Sequence, residues 1–380
     1  MHSSSWRVGV LFSETGVTGA VERTQRAATL LALEEINRSG GVLGKPIEPI
    51  LYDPRSSPSM YRELAAKLCD VDRVSVVFGC HMSNGRKAAL PVIEAREALL
   101  FYPHLYEGFE YSKHCIYTGA TPSQQSVLIV DYLIKHYGKR VFLVGSDYVY
   151  PYESNRIIAD LFQSGGGEVL DEMYVPLDLS QAHVSQIIDR IHRAQPDVIY
   201  STVVGDGIIP FFEAFNEAGF DANKCPIVSQ STSEADFGRM APHVAAGHIT
   251  AAPFFSSLSR PQAREFVEKY RQHNAGLPTA AAEAAYFQTH LYALALAQAR
   301  SDHPKDLLSA LACVEYDAPQ GLVRVDADTN HTHLWPRIAR VGADGQYEVV
   351  CDPSIRVAPD PFMLRSRLGM VRSTSDPVAI

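Results

Sequence analysis

The side chains best suited to chemistry gather in five short strings. These are Gly79-Cys80-His81-Met82-Ser83, Tyr102-Pro103-His104-Leu105-Tyr106, Ser146-Asp147-Tyr148-Val149-Tyr150-Pro151, Thr202-Val203-Val204-Gly205-Asp206 and Ser229-Gln230-Ser231-Thr232-Ser233-Glu234. They present uncharged hydroxyls repeatedly, and the last four hold no Arg or Lys; Arg86 and Lys87 follow the first by a turn. Such walls suit a small, neutral, polar ligand rather than a nucleotide or a sugar phosphate. Ser83 is placed to cap the helix after it, where backbone N–H groups and the helix dipole attract a carbonyl oxygen or carboxylate. Asp147 and Asp206 are the exceptions, carboxylates able to meet an ammonium group.

Other chemistries find less footing. No G-x-G-x-x-G follows the first strand, and there is no G-x-x-x-x-G-K-[ST] loop. No G-x-S-x-G elbow exposes a serine nucleophile. The six cysteines form no C-x-x-C pair, and Cys69, Cys80, Cys115 and Cys351 read as ordinary packing residues. His331 and His333 are half a metal site at most, without a carboxylate or thiol at metal spacing, and read as a polar turn entering a strand. An enzyme is therefore poorly supported, and no cofactor or metal is expected.

These strings need a scaffold that brings them to one place, and the hydrophobic pattern supplies one. Apolar strand-length runs alternate with helical spacing: strands at Arg7–Ser13, Ile47–Tyr52, Val74–Gly79 and Ala98–Tyr102, helices at Val21–Asn37, Met60–Asp70 and Ser83–Glu97. Val74–Gly79 is a continuous valine-rich run, as in a strand buried on both faces. After Thr118 the pattern restarts. Strands are expected at Arg140–Ser146, Glu168–Val175, Asp197–Thr202 and Ile227–Ser229, and helices at Ser126–His136, Ser154–Gln163, Val184–Ala194 and Ile208–Ala218. His248–Pro253 leads to helices Gln262–His273 and Ala280–Ala299, and short strands Leu322–Val325, Arg337–Val341 and Gln346–Cys351 follow. The alternation implies parallel sheets, and each of the five strings falls at a strand's carboxyl end, where open α/β sheets bind ligands.

A chain of 380 residues is long enough for two domains. Its 46% hydrophobic and 20% charged residues are ordinary for a globular protein, and its net charge of −9 without a basic run disfavours direct contact with nucleic acid or an anionic membrane. The opening MHSSSWRVGVLFSETG has no apolar stretch of leader length. No window approaches the length of a membrane span. The expectation is a cytoplasmic protein, or a periplasmic one if a leader has been removed.

At the five strings and between them, the sequence resembles the type I periplasmic-binding-protein fold, and within it the branch of AmiC-like short-chain amide receptors and urea/amide transport receptors. LFSETGVTG (11–19), NRSGGVLGKPIE (37–48), GCHMSNGRKAALPV (79–92), FYPHLYEGFEYS (101–112), GSDYVYPYESN (145–155), DAPQGLVRV (317–325) and NHTHLWPRI (330–338) carry the likeness. It implies two doubly wound Rossmann-like lobes joined by a three-strand hinge. One lobe would comprise 6–121 plus 253–328, the other 122–252 plus 329–351, with a loose or surface-wrapped tail at 352–380. It implies a binding protein and no enzyme.

The family's amide pocket falls on Ser83, Tyr102, Tyr148, Tyr150 and Thr232, with Thr202 beside them at its own strand end. Where that pattern carries Thr-Pro, this chain has His104 and Leu105; His104 can donate, accept and titrate near neutral pH. The resemblance implies a cytoplasmic sensor that holds an RNA-binding antitermination partner and releases it when a small amide binds. The alternative is a solute receptor that passes urea or a short amide to an ABC permease. A homo-oligomer remains compatible with either.

Overall fold

The computed structural model describes residues 5–369, so the tail expected at 352–380 is described only to 369. The chain begins β1 (Trp6–Leu11), α1 (Gly19–Arg38), β2 (Ile47–Tyr52), α2 (Pro58–Asp70), β3 (Val76–Gly79), α3 (Ser83–Ala95), β4 (Leu99–Tyr102) and β5 (Cys115–Tyr117). It continues with α4 (Pro122–His136), β6 (Arg140–Ser146), α5 (Val149–Ser164), β7 (Glu168–Val175), α6 (Gln181–Ala194), β8 (Val198–Thr202), α7 (Ile208–Glu217), β9 (Ile227–Val228), two one-turn helices α8 (Glu234–Phe237) and α9 (Pro242–Ala245), and β10 (Ile249–Ala252). Last come α10 (Pro261–His273), α11 (Ala280–Ala299), α12 (Pro304–Leu311), β11 (Glu315–Ala318), β12 (Gly321–Val325), β13 (Thr332–His333), β14 (Arg337–Val341) and β15 (Tyr347–Cys351).

The first sheet has the order β2-β1-β3-β4-β5 with every pair parallel. The second has the order β15-β14-β10-β9-β8-β6-β7, parallel except where β14 meets β10 and β15. A small antiparallel sheet, β11-β12-β13, sits apart. The order reverses between β1 and β3 in the first sheet and between β6 and β8 in the second, which opens a crevice at the carboxyl ends of those strands.

Both sheets are buried on both faces, and the side-chain period of two sorts residues between core layers. In β3, Val76 and Phe78 join one layer and Val77 the other; in β4, Leu99 and Phe101 oppose Leu100 and Tyr102. In β6, Phe142 and Val144 face one layer while Val141 and Leu143 face another. Helix α11 is buried around most of its circumference, so it lacks a polar stripe.

The chain leaves the first sheet after β5, leaves the second after β10 and returns to it after β12 and β13, and these connections are fastened to each other. Tyr117 bridges His331, and the Tyr117 N–H donates to the Asn330 carbonyl at 2.9 Å. Gln124, whose Oε1 accepts the Thr121 N–H at the start of α4, also donates from Nε2 to the Thr332 carbonyl at 2.9 Å. Arg337, almost fully buried, donates to the carbonyls of Pro253 (2.6 Å), Trp335 (3.0 Å) and Gln320 (3.1 Å) and pairs with Asp352.

The tail stays close. Val357 pairs with Leu334, the Asp360 N–H donates to Ser123 Oγ at 3.0 Å, and the Pro361 carbonyl accepts the Phe109 N–H at 2.8 Å. Met363 and Leu368 then pack against the core shared by α4 and α5. The tail therefore wraps the surface as far as it is described.

Five expected elements, Ile47–Tyr52, Arg140–Ser146, Glu168–Val175, Ala280–Ala299 and Arg337–Val341, coincide with the observed ones to the residue. Several helices start earlier than their spacing suggested, two of them by a full turn or more. Helix α5 starts at Val149 rather than Ser154, and α4 at Pro122 rather than Ser126. In both, a proline that reads as a break sits in the first turn, where no N–H is required. The elements without an expectation are β5, β11, β13, α12 and the two one-turn helices, all short or polar in sequence.

Candidate functional site

The crevice is lined from both sheets. The loops after β1 and β3 and the loop after β4 supply Val17, Thr18, His81, Met82, Ser83, His104 and Leu105. Facing them, the loops after β6, β8 and β9 supply Tyr148, Tyr150, Val204, Gly205, Ser231, Asp236 and Arg239. They enclose a cavity of about 20 Å³. A second cavity of about 50 Å³ adjoins it, sharing Val21, His104, Leu105 and Ser231 and running toward the passages between the sheets.

The two sides touch. Met82, Tyr150 and Val204 form a small buried cluster with Val17, Leu105, Tyr148 and Leu177, so residues from both sheets share one apolar contact. Gly205 has φ of +65°, and a Cβ there would lie 2.5 Å from the Val17 carbonyl oxygen. Glycine is required at that point both for its conformation and for the close approach.

Each loop is held from beneath. The buried carboxylate of Glu22 accepts the Ser13 N–H (2.7 Å) and the Thr18 hydroxyl (2.6 Å), and burial raises its pKa. The His81 imidazole shares a hydrogen bond with Gln25 Oε1 at 2.8 Å, so Nδ1 carries the proton. Its ring stacks on His104 with centroids 3.6 Å apart. Burial pushes His81 down to about 3 and His104 well below its ordinary value, with the His81 and Arg86 charges adding to the effect on His104. Both rings are neutral at pH 7. The near-neutral titration expected of His104 is thus corrected, because two stacked imidazoles in a dry site cannot readily take a proton.

Behind them lies the charged floor. Arg86, with no exposed surface, bonds Glu110 (2.8 Å) and Glu107 (3.1 Å) and lies 4.7 Å from the ring centroids of both Tyr102 and Tyr106. Burial alone would raise Glu110, but the Arg86 charge and hydrogen bonds outweigh it and bring the carboxyl to about 2. Ser83 Oγ donates to Glu107 Oε2, and α3 has no side-chain cap. The capping role expected of Ser83 is therefore not taken up; its hydroxyl joins the floor network while the residue still lines the cavity.

Of the eight residues singled out in sequence, Ser83, His104, Leu105, Tyr148 and Tyr150 line the first cavity. Thr232 lines the second, with His104 and Leu105. Tyr102 stands under the loop instead, fully buried, its hydroxyl donating to the His81 carbonyl at 2.6 Å. Thr202 is buried at the end of β8, its hydroxyl donating to Asn155 Oδ1 at 3.0 Å. Sequence reasoning gave no role to His81, Gln230, Asp236 or Arg239. His81 and Gln230 lie inside the quoted strings, so a signal was there; Arg239 reaches the crevice only through the fold, and its guanidinium stands 3.9 Å from Asp206 at the rim.

His331 and His333 do not converge. His331 stacks on Tyr117 and bonds the Tyr106 hydroxyl at 2.6 Å, whereas His333 approaches Asp326. Among the described residues no group of three or more His, Cys, Asp or Glu is placed to hold a metal. Burial raises the thiols of Cys69, Cys80, Cys115 and Cys225, which keeps them protonated and unreactive. No helix among the described residues is long and apolar enough to cross a membrane.

Against known proteins, the family model described as a periplasmic binding protein domain matches residues 6–367. The Leu/Ile/Val-binding protein homolog 6 of Brucella suis is 22% identical over 320 residues, which is 81% of each chain. Among solved structures, a solute binding protein of an ABC transporter from Rhodopseudomonas palustris BisB5, in complex with 3,4-dihydroxybenzoic acid, aligns with a TM-score of 0.83 at 23% identity over 91% of this chain and 95% of that one. The branched-chain amino acid transporter substrate binding protein LivJ of Streptococcus pneumoniae, in complex with isoleucine, aligns with a TM-score of 0.78 at 20% identity over 91% of this chain and 99% of that one.

Proposed function

The chain belongs to the periplasmic binding protein family, a family of binding proteins and not of enzymes, and from that premise we propose that it is the solute receptor of an ABC importer. Its ligand is a small uncharged polar compound, a short amide, urea or a close relative, gripped between lobes 6–121 plus 253–328 and 122–252 plus 329–351. The observation that carries this reading is the crevice at the two switch points, lined from both sheets by Ser83, Tyr148, Tyr150 and neutral His104.

Charge and size support the ligand class. A buried carboxylate or ammonium needs a counter-charge. Among the described residues, the buried cation beneath the crevice, Arg86, is committed to Glu107 and Glu110, Asp206 pairs with Arg239 at the rim, and Asp236 accepts from the Ser233 N–H and hydroxyl. The enclosed space suits few atoms: at roughly 10–15 Å³ for each water-sized occupant, the two cavities together take about half a dozen non-hydrogen atoms.

The relatives described above are named for binding and transport, which favours the importer over the cytoplasmic sensor with an antiterminator partner. The importer reading places the receptor outside the inner membrane, and the gene sequence upstream of Met1 tests that directly. A thermal-shift screen of short amides, ureas, guanidines, amino acids and aromatic acids tests the ligand class. A rise in melting temperature with an uncharged amide or urea supports it. A rise confined to the carboxylic acids overturns it.

A further inference from the structure

The second cavity differs in character from the first. Its lining includes the apolar Leu105, Ala120, Phe254, Phe255 and Ala284. It also includes Thr232 and Gln230, each with one polar side-chain atom that lacks a partner. Thr232 and Gln230 are 4% and 6% exposed, and neither Thr232 Oγ1 nor Gln230 Nε2 has a hydrogen-bond partner. Their surroundings hold both residues in place. The Tyr347 hydroxyl donates to the Thr232 carbonyl at 2.9 Å, and the Tyr200 hydroxyl donates to Gln230 Oε1 at 2.8 Å, which leaves the Gln230 amide nitrogen unused. Buried polar atoms are normally paired, and two unpaired ones on residues that line the same cavity mark a place for a hydrogen-bonding group that is not part of the chain.

We propose that the second cavity is a subsite for the far end of an elongated ligand: an aliphatic segment of about three or four non-hydrogen atoms that ends in a hydroxyl or carbonyl oxygen held by Thr232 Oγ1 and Gln230 Nε2. The amide head occupies the first cavity, and His104 and Leu105, common to both, border the junction. This assignment rests on the uncharged-ligand reading above and narrows it to ω-hydroxy or ω-oxo short-chain amides.

Calorimetric titration of the full chain with acetamide, butyramide and 4-hydroxybutyramide tests it. Two added methylenes are expected to tighten binding roughly fifteenfold from acetamide to butyramide. The terminal hydroxyl is expected to bind without loss. Thr232→Val is expected to weaken 4-hydroxybutyramide about three- to tenfold more than butyramide. Ala284→Leu, which fills the subsite, is expected to lower the butyramide-to-acetamide preference at least tenfold. If that variant fails to fold, the near-isosteric Thr232→Val carries the test alone. Equal affinity for acetamide and butyramide overturns the subsite and leaves the uncharged-ligand reading standing, as does an equal loss for both longer amides in Thr232→Val. No binding by any of the three amides overturns both.

Discussion

Tyr148 and Ser83 bring hydroxyls to the same crevice from opposite sheets, and they differ in what removal would cost. Tyr148→Phe deletes one hydrogen-bonding group at the cavity wall. Net hydrogen-bond energies of about 0.5–1.5 kcal/mol put the loss at roughly two- to twelvefold in ligand affinity, read by calorimetry with the fold unchanged. Ser83→Ala also takes a donor from Glu107, so we expect a comparable loss in affinity and a lowered melting temperature besides. His104→Thr restores the residue type of the amide-receptor pattern and is expected to shift preference toward simple aliphatic amides; an unchanged ligand profile would place His104 outside recognition.

The same histidine leaves a signature in pH. Folded His104 has a depressed pKa, so the unfolded chain takes up its proton near 6.5 while the folded chain does not. Its neutral form stabilises the fold fully above that pH, and the advantage is lost as pH falls below it. The wild type should therefore lose stability relative to His104→Thr between pH 6.5 and 5, by at most about 1.4 kcal/mol per pH unit. Denaturant melts of the two proteins at both pH values measure the difference.

Among the elements, α3 and the loop after β4 form one unit, because Arg86 ties them together through Glu107 and Glu110. Arg86→Met would leave the Glu107 and Glu110 carboxylates with only the half-exposed Lys87 as counter-charge. About 3–5 kcal/mol of stability should go with it. A triple variant that also neutralises both carboxylates should recover part of that loss in the same melts.

Elements were legible in the sequence where their pattern was long and their surroundings uniform. The valine-rich run ending at Gly79 announced a strand with two buried faces, and α11 announced itself by unbroken helix formers. Short edge pieces such as Thr332–His333 were not legible, since two residues carry no period and their pairing comes entirely from β12. The site divides the same way. Loops at strand carboxyl ends follow from topology, so the strings holding Ser83, His104 and Tyr148 could be named in advance, and the family resemblance singled those residues out within them. Tyr102 misled because its hydroxyl turns inward to the His81 carbonyl, a choice made by packing. Arg239 needed the two sheets brought together in space, and the stacking of His81 on His104 needed β3 and β4 paired side by side.

For the molecule as a whole, Gly205 and Val17 meet across the crevice with no room for a Cβ between them. Gly205→Ala should fold, because the strain falls on a loop, yet it should hold the two sides apart. Small-angle scattering with and without ligand is expected to show compaction in the wild type and little in the variant, with ligand affinity reduced at least tenfold. Equal compaction in both would show that the approach is not needed for closure.

The tail gives the molecule an asymmetry that two plain jaws would lack. By joining the Phe109 backbone to the start of α4, it laces the loop after β4 to the opposite body. Solute departure must then either leave that lace tied, with the gap widening on the far flank near α1, or wait for residues 357–363 to peel away. A nick introduced between β15 and Val357 separates these routes: a faster dissociation rate means that the lace is the brake, and an unchanged one means that cargo leaves by the other flank.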